Sequence, residues 1–321
     1  MKIDVHAHLY PDAYAKEVES LCSDLVRDGS WRGPMSQAGT FSPQMLRSEE
    51  ERIAEMNTAG IDVQVLSLSI PNVYFEDSAK SLYLAQIAND SFAEVCRKYP
   101  GRFMALASIP LEFPDLAVQE MHRAIDRLGM CGLVIGGNIR GKPLNSPEFL
   151  PVFQEADRMN LAIFIHPMLP AGIEALREYG MAASIGYLAD STTAITRLVF
   201  SGLFEKCPNL KMIIPHMGGI VPFNIERIDY SYRTRPECRQ NISMPPSEYF
   251  KRFYYDSANY HVPSMRCGYE TFGARHMVVG SDFPFRPVKS AEFITTIRAL
   301  GLSEEEEELI FSGNALRILR H

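Results

Sequence analysis

His6-Ala7-His8 closes the first apolar run of the chain, and two imidazoles at that spacing are the side chains best placed to do chemistry. Ile3-Asp4-Val5-His6-Ala7-His8 alternates with a period of two. On a strand, Asp4, His6 and His8 would share one face and Ile3, Val5 and Ala7 the other. Residues two apart on a strand lie roughly 6–7 Å apart at Cα, so both rings can reach one cation at about 2.0–2.1 Å. An H-x-H pattern alone is a weak signal, and its weight depends on where the other histidines fall.

His166 ends the run Ala162–His166, His216 ends Lys211–His216, His261 lies just past Phe253–Ser257, and Asp282 ends His276–Asp282. Three imidazoles and a carboxylate make a typical Zn²⁺ or Mn²⁺ environment with room for water or substrate. His276 begins its run, His122 sits inside a helical pattern and His321 is the last residue, so these three read as structural. The run Gly132–Ile135 is followed by Gly136-Gly137, with no Lys or Glu at its tip to bridge two metals. One metal ion is the expectation. His216, in Pro215-His216-Met217-Gly218-Gly219, is then free to serve as an acid/base beside it.

These positions converge only if the runs that carry them end on one rim. Eight runs read as strands: Ile3–His8, Asp62–Leu68, Phe103–Ile109, Gly132–Ile135, Ala162–His166, Lys211–His216, Phe253–Ser257 and His276–Asp282. Several are continuously apolar, as parallel strands buried on both faces are. Amphipathic helical segments lie between most of them. Ser48-Glu49-Glu50-Glu51 and Ser303-Glu304-Glu305-Glu306 are capping boxes that open two of the helices, the first ending near Gly60. Asp115–Leu128 has helical spacing, and helices are expected within Ile173–Tyr179 and Thr192–Glu205. The pattern predicts an α/β protein with a (β/α)8 TIM barrel, whose functional residues gather at the C-terminal ends of its strands. A doubly wound open sheet is the alternative, but no G-x-G-x-x-G follows the first strand. Two connections, about residues 11–47 and 167–209, exceed a simple crossover. Both are expected to be insertions forming substrate walls within a single domain spanning 1–321.

Composition excludes several functions. The chain has 321 residues, 46% hydrophobic and 22% charged, with a net charge of −7 and no basic patch. No nucleic-acid partner is expected. Glu304 to Glu308 reads as a solvated helix start. Cys22, Cys96, Cys131, Cys207, Cys238 and Cys267 are scattered without a C-x-x-C, as reduced thiols in a cytoplasmic protein are. No leader pattern precedes His6 and no apolar stretch approaches membrane-spanning length, so neither secretion nor membrane insertion is expected.

H-x-H on the first strand, His on the fifth, His-x-Gly-Gly on the sixth and Asp on the eighth resemble the amidohydrolase superfamily. The chain most resembles the amidohydrolase-2 group, which includes 2-amino-3-carboxymuconate-6-semialdehyde decarboxylase and γ-resorcylate decarboxylase. The likeness extends through Arg52-Ile53-Ala54-Glu55-Met56, Tyr99-Pro100-Gly101-Arg102-Phe103, Phe164-Ile165-His166-Pro167, Gly202-Leu203-Phe204-Glu205-Lys206-Cys207-Pro208, Asp282-Phe283-Pro284-Phe285 and Gly313-Asn314-Ala315. The resemblance implies Zn²⁺, or Mn²⁺, on His6, His8, His166 and Asp282, with His216 as catalytic acid/base. It also suggests Phe285 as a substrate wall and Arg235 as a carboxylate clamp reaching across a homodimer. One departure stands out: the alignment places Thr40 where the muconate decarboxylase carries a substrate-binding Arg. Arg47 or Arg32 would have to substitute, and His261 faces substrate or supports the site. The expected activity is metal-dependent, non-oxidative decarboxylation of a small aromatic or unsaturated carboxylic acid, with Asp282 sharing the catalytic work. The alternative is a hydrolase that uses metal-activated water on an amide, lactone or C–C bond.

Overall fold

In the computed structural model, residues 1–27, 41–42, 45–286 and 291–320 are described. Ten strands occur among them: β1 (Ile3–His8), β2 (Val63–Ser67), β3 (Phe103–Ser108), β4 (Gly132–Gly136), β5 (Asn138–Ile139), β6 (Lys142–Pro143), β7 (Ala162–His166), β8 (Lys211–Ile214), β9 (Tyr254–Asp256) and β10 (Met277–Val278). Strands β5 and β6 form a small antiparallel hairpin, while the other eight form one sheet in the order β1-β2-β3-β4-β7-β8-β9-β10. Parallel bridges Asp4 to Val279 and Ala7 to Phe283 join its two edges. With helices between the strands, this is a (β/α)8 barrel, as the sequence predicts.

The core has two layers. Val134, Phe164, Ile213 and Val278 pack inside the barrel with Ile3 and Val5, and Ala315, Ile318 and Leu319 of the C-terminal segment join them. A larger layer, including Leu66, Ile135, Ile165 and Ile214, packs against the helices.

Strand β1 departs from simple alternation. Its register against β2 shifts between Asp4 and Ala7. Ile3 and Val5 belong to the inner layer, Ala7 belongs to the outer one, and the His6 ring lies 4.9 Å from the inward Phe164. The irregularity resets the phase, so that apolar residues fill the bottom of the barrel and imidazoles its top. Bulges re-aim side chains in this way beside functional sites. Asp4 therefore does not share a face with the histidines. It turns to the barrel seam and accepts from Ser281 N at 2.9 Å and Gln64 Nε2 at 3.0 Å.

Both capping boxes form, at Ser48 and Ser303, and the first helix stops at Gly60. The last strand is shorter than expected because the chain leaves the ladder after Val278 and returns only at single bridges. A helix, Asp12–Arg27, opens the first insertion. In the second, Ile173–Leu176 is only a short 3-10 turn, and the main helix runs Tyr187–Phe200, earlier than its apolar spacing suggested.

Asn314 ties the C-terminal helix to the barrel floor, its buried Nδ2 donating to Ala274 O at 2.7 Å and Met277 O at 2.6 Å. Asn314→Ala leaves both carbonyls without this donor and should cost about 2–3 kcal/mol, read as a lower urea midpoint with an unchanged slope.

Candidate metal centre and active site

His6 and His8 from β1, His166 from the end of β7 and Asp282 from the turn after β10 meet at one rim. One ligand atom from each lies within 4.8 Å of every other. His6 Nε2 is 3.0 Å from His8 Nε2. Both face Asp282 Oδ1, at 3.2 and 3.4 Å. Donors 2.0–2.2 Å from a common ion lie within about 4.4 Å of one another, so the four need close only slightly to hold one.

Each histidine is held by its other nitrogen. Asp256 Oδ2 accepts from His6 Nδ1 at 2.7 Å, Ser67 Oγ lies 3.2 Å from His8 Nδ1, and the Pro167 carbonyl accepts from His166 Nδ1 at 3.0 Å. A carbonyl only accepts, so His166 carries its proton on Nδ1 and leaves Nε2 unprotonated, with Ser69 Oγ 3.4 Å from it. Such partners fix ring orientation and tautomer at metal sites.

Electrostatics point the same way. Burial depresses His8 to about 4, only partly opposed by Asp282, so its imidazole is neutral. Burial, reinforced by His8 and His6, takes His166 well below its ordinary value. Burial also works against charge on His6, but Asp256 and Asp282 outweigh it and lift the ring to about 10. Burial would raise Asp282, yet His6 and its other imidazole partners hold it well below the carboxylate range. A neutral His8 and an ionised Asp282 are donors of the kind a divalent cation takes.

Asp282 has φ +57°, a left-handed conformation that Asp tolerates better than most residues. Its N–H donates to His6 O at 2.9 Å. Gly280 makes this approach possible: a Cβ there would lie 2.8 Å from Asp256 Cβ and 3.0 Å from His6 Cβ.

His216 follows β8 in a tight turn, with Nε2 3.7 Å from Asp282 Oδ2. Asp282 thus presents one oxygen to the ligand histidines and the other to His216. His216 N donates to Asp256 Oδ1 at 2.8 Å, while its buried Nδ1 has no hydrogen-bond partner among the described residues. Gly219 closes the turn at φ +62°, where a Cβ would lie 2.6 Å from Leu188 O.

The site opens into a cavity of about 790 Å³, lined by Ile70, Tyr187, Tyr260, Phe285 and Arg286 besides His166, His216 and Asp282. Met45 contributes from the first insertion and Ala183, Ser184 and Tyr187 from the second. Phe285 stands edge-on to His8 at 5.5 Å between ring centres. Two expected substrate contacts, Arg47 and His261, are placed elsewhere. Arg47 pairs with Glu55 and lies 5.6 Å over the Phe283 ring, away from this cavity. His261 is exposed, with Nδ1 2.9 Å from Ser264 Oγ. Arg235, expected to reach a neighbouring subunit, is exposed just past the helix Val221–Thr234. Thr40 and Arg32 lie outside the described residues.

Asp256, Asp190 and Arg286 are functional candidates that sequence reasoning passed over. Asp256 carried one signal, a carboxylate within a run expected to be buried. Asp190, on the helix Tyr187–Phe200, accepts from Met168 N at 2.7 Å and Asn138 Nδ2 at 2.8 Å. It thereby joins the loops after β4 and β7.

The chain matches the amidohydrolase family profile over residues 3–321, and it belongs to that family. It is 31% identical to a 2-amino-3-carboxymuconate-6-semialdehyde decarboxylase of Dictyostelium discoideum, across 99% of this chain and 91% of that protein. A γ-resorcylate decarboxylase of a Rhizobium species is 27% identical, with coverage of 86% and 88%. Among solved structures, 5-carboxyvanillate decarboxylase from Sphingomonas paucimobilis superposes with a TM-score of 0.89 at 29% identity, covering 99% of this chain and 98% of that one. A dihydroxybenzoic acid decarboxylase from Polaromonas, solved with bound manganese and 2-nitroresorcinol, gives 0.84 at 26% identity, with coverage of 99% and 96%.

Asp256→Asn should loosen His6 and weaken metal binding about 10–100-fold, measured by competition with a chelator of known affinity. For Asp190, burial outweighs its hydrogen bonds and raises the carboxyl to about 6. The folded state thus favours its proton. That contribution is full below the unfolded value near 3.8 and is lost as pH rises through about 6. Relative to Asp190→Asn, the natural protein should lose on the order of 2–3 kcal/mol between pH 4 and 7, measured by denaturant unfolding at each pH.

Proposed function

We propose that this protein is a metal-dependent, non-oxidative decarboxylase of a small aromatic or unsaturated carboxylic acid. The observation that carries the reading is His216 Nε2 beside Asp282 Oδ2, at 3.7 Å, with the other oxygen of Asp282 in the four-donor cluster. The named relatives with this fold are decarboxylases, which favours a carboxy-lyase over the hydrolase alternative.

A divalent ion held by His6, His8, His166 and Asp282 would supply the charge that holds the substrate carboxylate and a neighbouring oxygen and draws electron density as the bond to carbon breaks. The His-rich set suits Zn²⁺, and the manganese in related structures makes Mn²⁺ an equal candidate. His216 delivers a proton to the carbon that bears the carboxylate; the electrons of the broken C–C bond stay with that carbon, and CO₂ leaves. Phe285, Tyr187 and Ile70 give the ring or conjugated chain apolar walls.

A homodimer accounts for the helix Val221–Thr234, where Phe223 is 83% and Tyr230 59% exposed seven residues apart on one face. Arg235 beyond its end would then lie near a neighbouring subunit. Among the described residues no helix is long and apolar enough to cross a membrane. Five described cysteines are free, which supports a reducing, cytoplasmic setting.

His216→Asn should leave about one equivalent of metal in place while CO₂ release from hydroxybenzoic and carboxymuconic acids falls roughly 10²–10⁴-fold. Elemental analysis and CO₂ detection on the same preparations check both halves. Parallel loss of metal and activity would make His216 a ligand. Cleavage of lactones or amides without CO₂ release from any acid would overturn the assignment.

A further inference from the structure

We propose that Arg286 is a specificity residue that binds a second acidic group on the substrate, remote from the carboxylate at the metal. The inference rests on the decarboxylase reading and narrows its substrates to acids with two anionic groups.

Arg286 is the sole Lys or Arg among the described residues lining the cavity, and Asp282 is its sole acidic group. The other arginines of this quarter are engaged: Arg47 with Glu55, and Arg52, fully buried, with Gln64 Oε1 and the His8 carbonyl. Arg286 forms no ion pair with a described carboxylate. Its guanidinium carbon instead lies 4.3 Å over the Tyr260 ring. The Tyr260 hydroxyl donates to Ser281 O at 2.5 Å, which fixes that ring against the turn carrying Asp282. Arg286 N donates to Asp282 O at 3.2 Å, closing a single turn that sets Arg286 at a constant reach from the metal-facing carboxylate.

A guanidinium whose face is stacked keeps its edge free for bidentate pairing with a carboxylate. The remaining lining on that side is uncharged: Phe285, Asn259, Ala258 and Tyr260 itself. Arg286 is itself exposed, and among the described lining residues of this chain it is the one cationic side chain that an anion entering the cavity away from the metal can pair with. A cavity of about 790 Å³ accommodates one ring with its substituents. The metal-facing donors and Arg286 thus define two anion-binding ends of one pocket.

The test is calorimetric binding to metal-loaded protein, which needs no turnover. The probes are salicylate, with one carboxylate, and 2-hydroxyisophthalate, 4-hydroxyisophthalate and 2-hydroxyterephthalate, which place a second carboxylate at different ring positions. At least one diacid should bind about ten- to hundredfold more tightly than salicylate, the range expected of a charged hydrogen-bonded contact. Arg286→Ala should abolish that preference while leaving salicylate affinity and the thermal midpoint unchanged. Arg286→Lys should restore part of it. Equal affinity for mono- and diacids in the natural protein, or equal weakening of both in Arg286→Ala, would overturn the proposal. Diacid preference lost in Arg286→Ala but without CO₂ release from any probe would leave Arg286 standing and count against the decarboxylase reading alone.

Discussion

One buried carboxylate, Asp256, holds the active end of this barrel together. It is fully enclosed, and its two oxygens are divided between two jobs. Oδ2 takes the Nδ1 proton of His6, while Oδ1 takes the backbone N–H groups of His216 and Ala258 at 2.8 and 3.0 Å. A buried anion is tolerable only when paired and hydrogen-bonded. The ring that needs orienting and the turn that needs anchoring supply those partners. The same constraint thus orients a proposed metal donor and places the proposed proton carrier beside it.

A second polar network does the corresponding work on the outer side of the sheet. Asp4 receives Ser281 N, Ser281 Oγ, Gln64 Nε2 and, at 3.2 Å, His6 N. Arg52 extends it from Gln64 Oε1 to the carbonyl of His8, with its guanidinium 4.4 Å over the Phe283 ring. The two Ser281 bonds join β1 to the turn that carries Asp282, and Gln64 and Arg52 extend the network to β2 and the helix Glu49–Ala59. Asp282 can hold φ +57° because the residues on both sides of it are tied down.

The barrel and the convergence of His6, His8, His166 and Asp282 were legible because they depend on local signals. Apolar runs end in His or Asp, two capping boxes mark helix starts, and glycines follow His216. What was not legible depends on partners distant in the chain. Asp256 gains its meaning from a histidine 250 residues away. Arg47 looked available because its nearest claimant, Glu55, lies on a helix face that the sequence pattern did not orient. The alternation of β1 was misread because a bulge is a property of two strands in register, visible only once β2 is alongside. Arg286 lay next to a residue already singled out, yet nothing in its neighbours indicated that Tyr260 would turn it into the cavity.

The donor set straddles the seam where the barrel closes. Three of its members come from residues 6, 8 and 166, and the fourth, Asp282, arrives with the last strand. During synthesis a chain lacking that strand holds the histidines but neither the carboxylate nor the bridges that bring the two edges together. The four-donor set is therefore complete only when the first and last strands have met. An ion held by the four proposed donors would cross-link the first and last strands, adding a clasp to the closed ring.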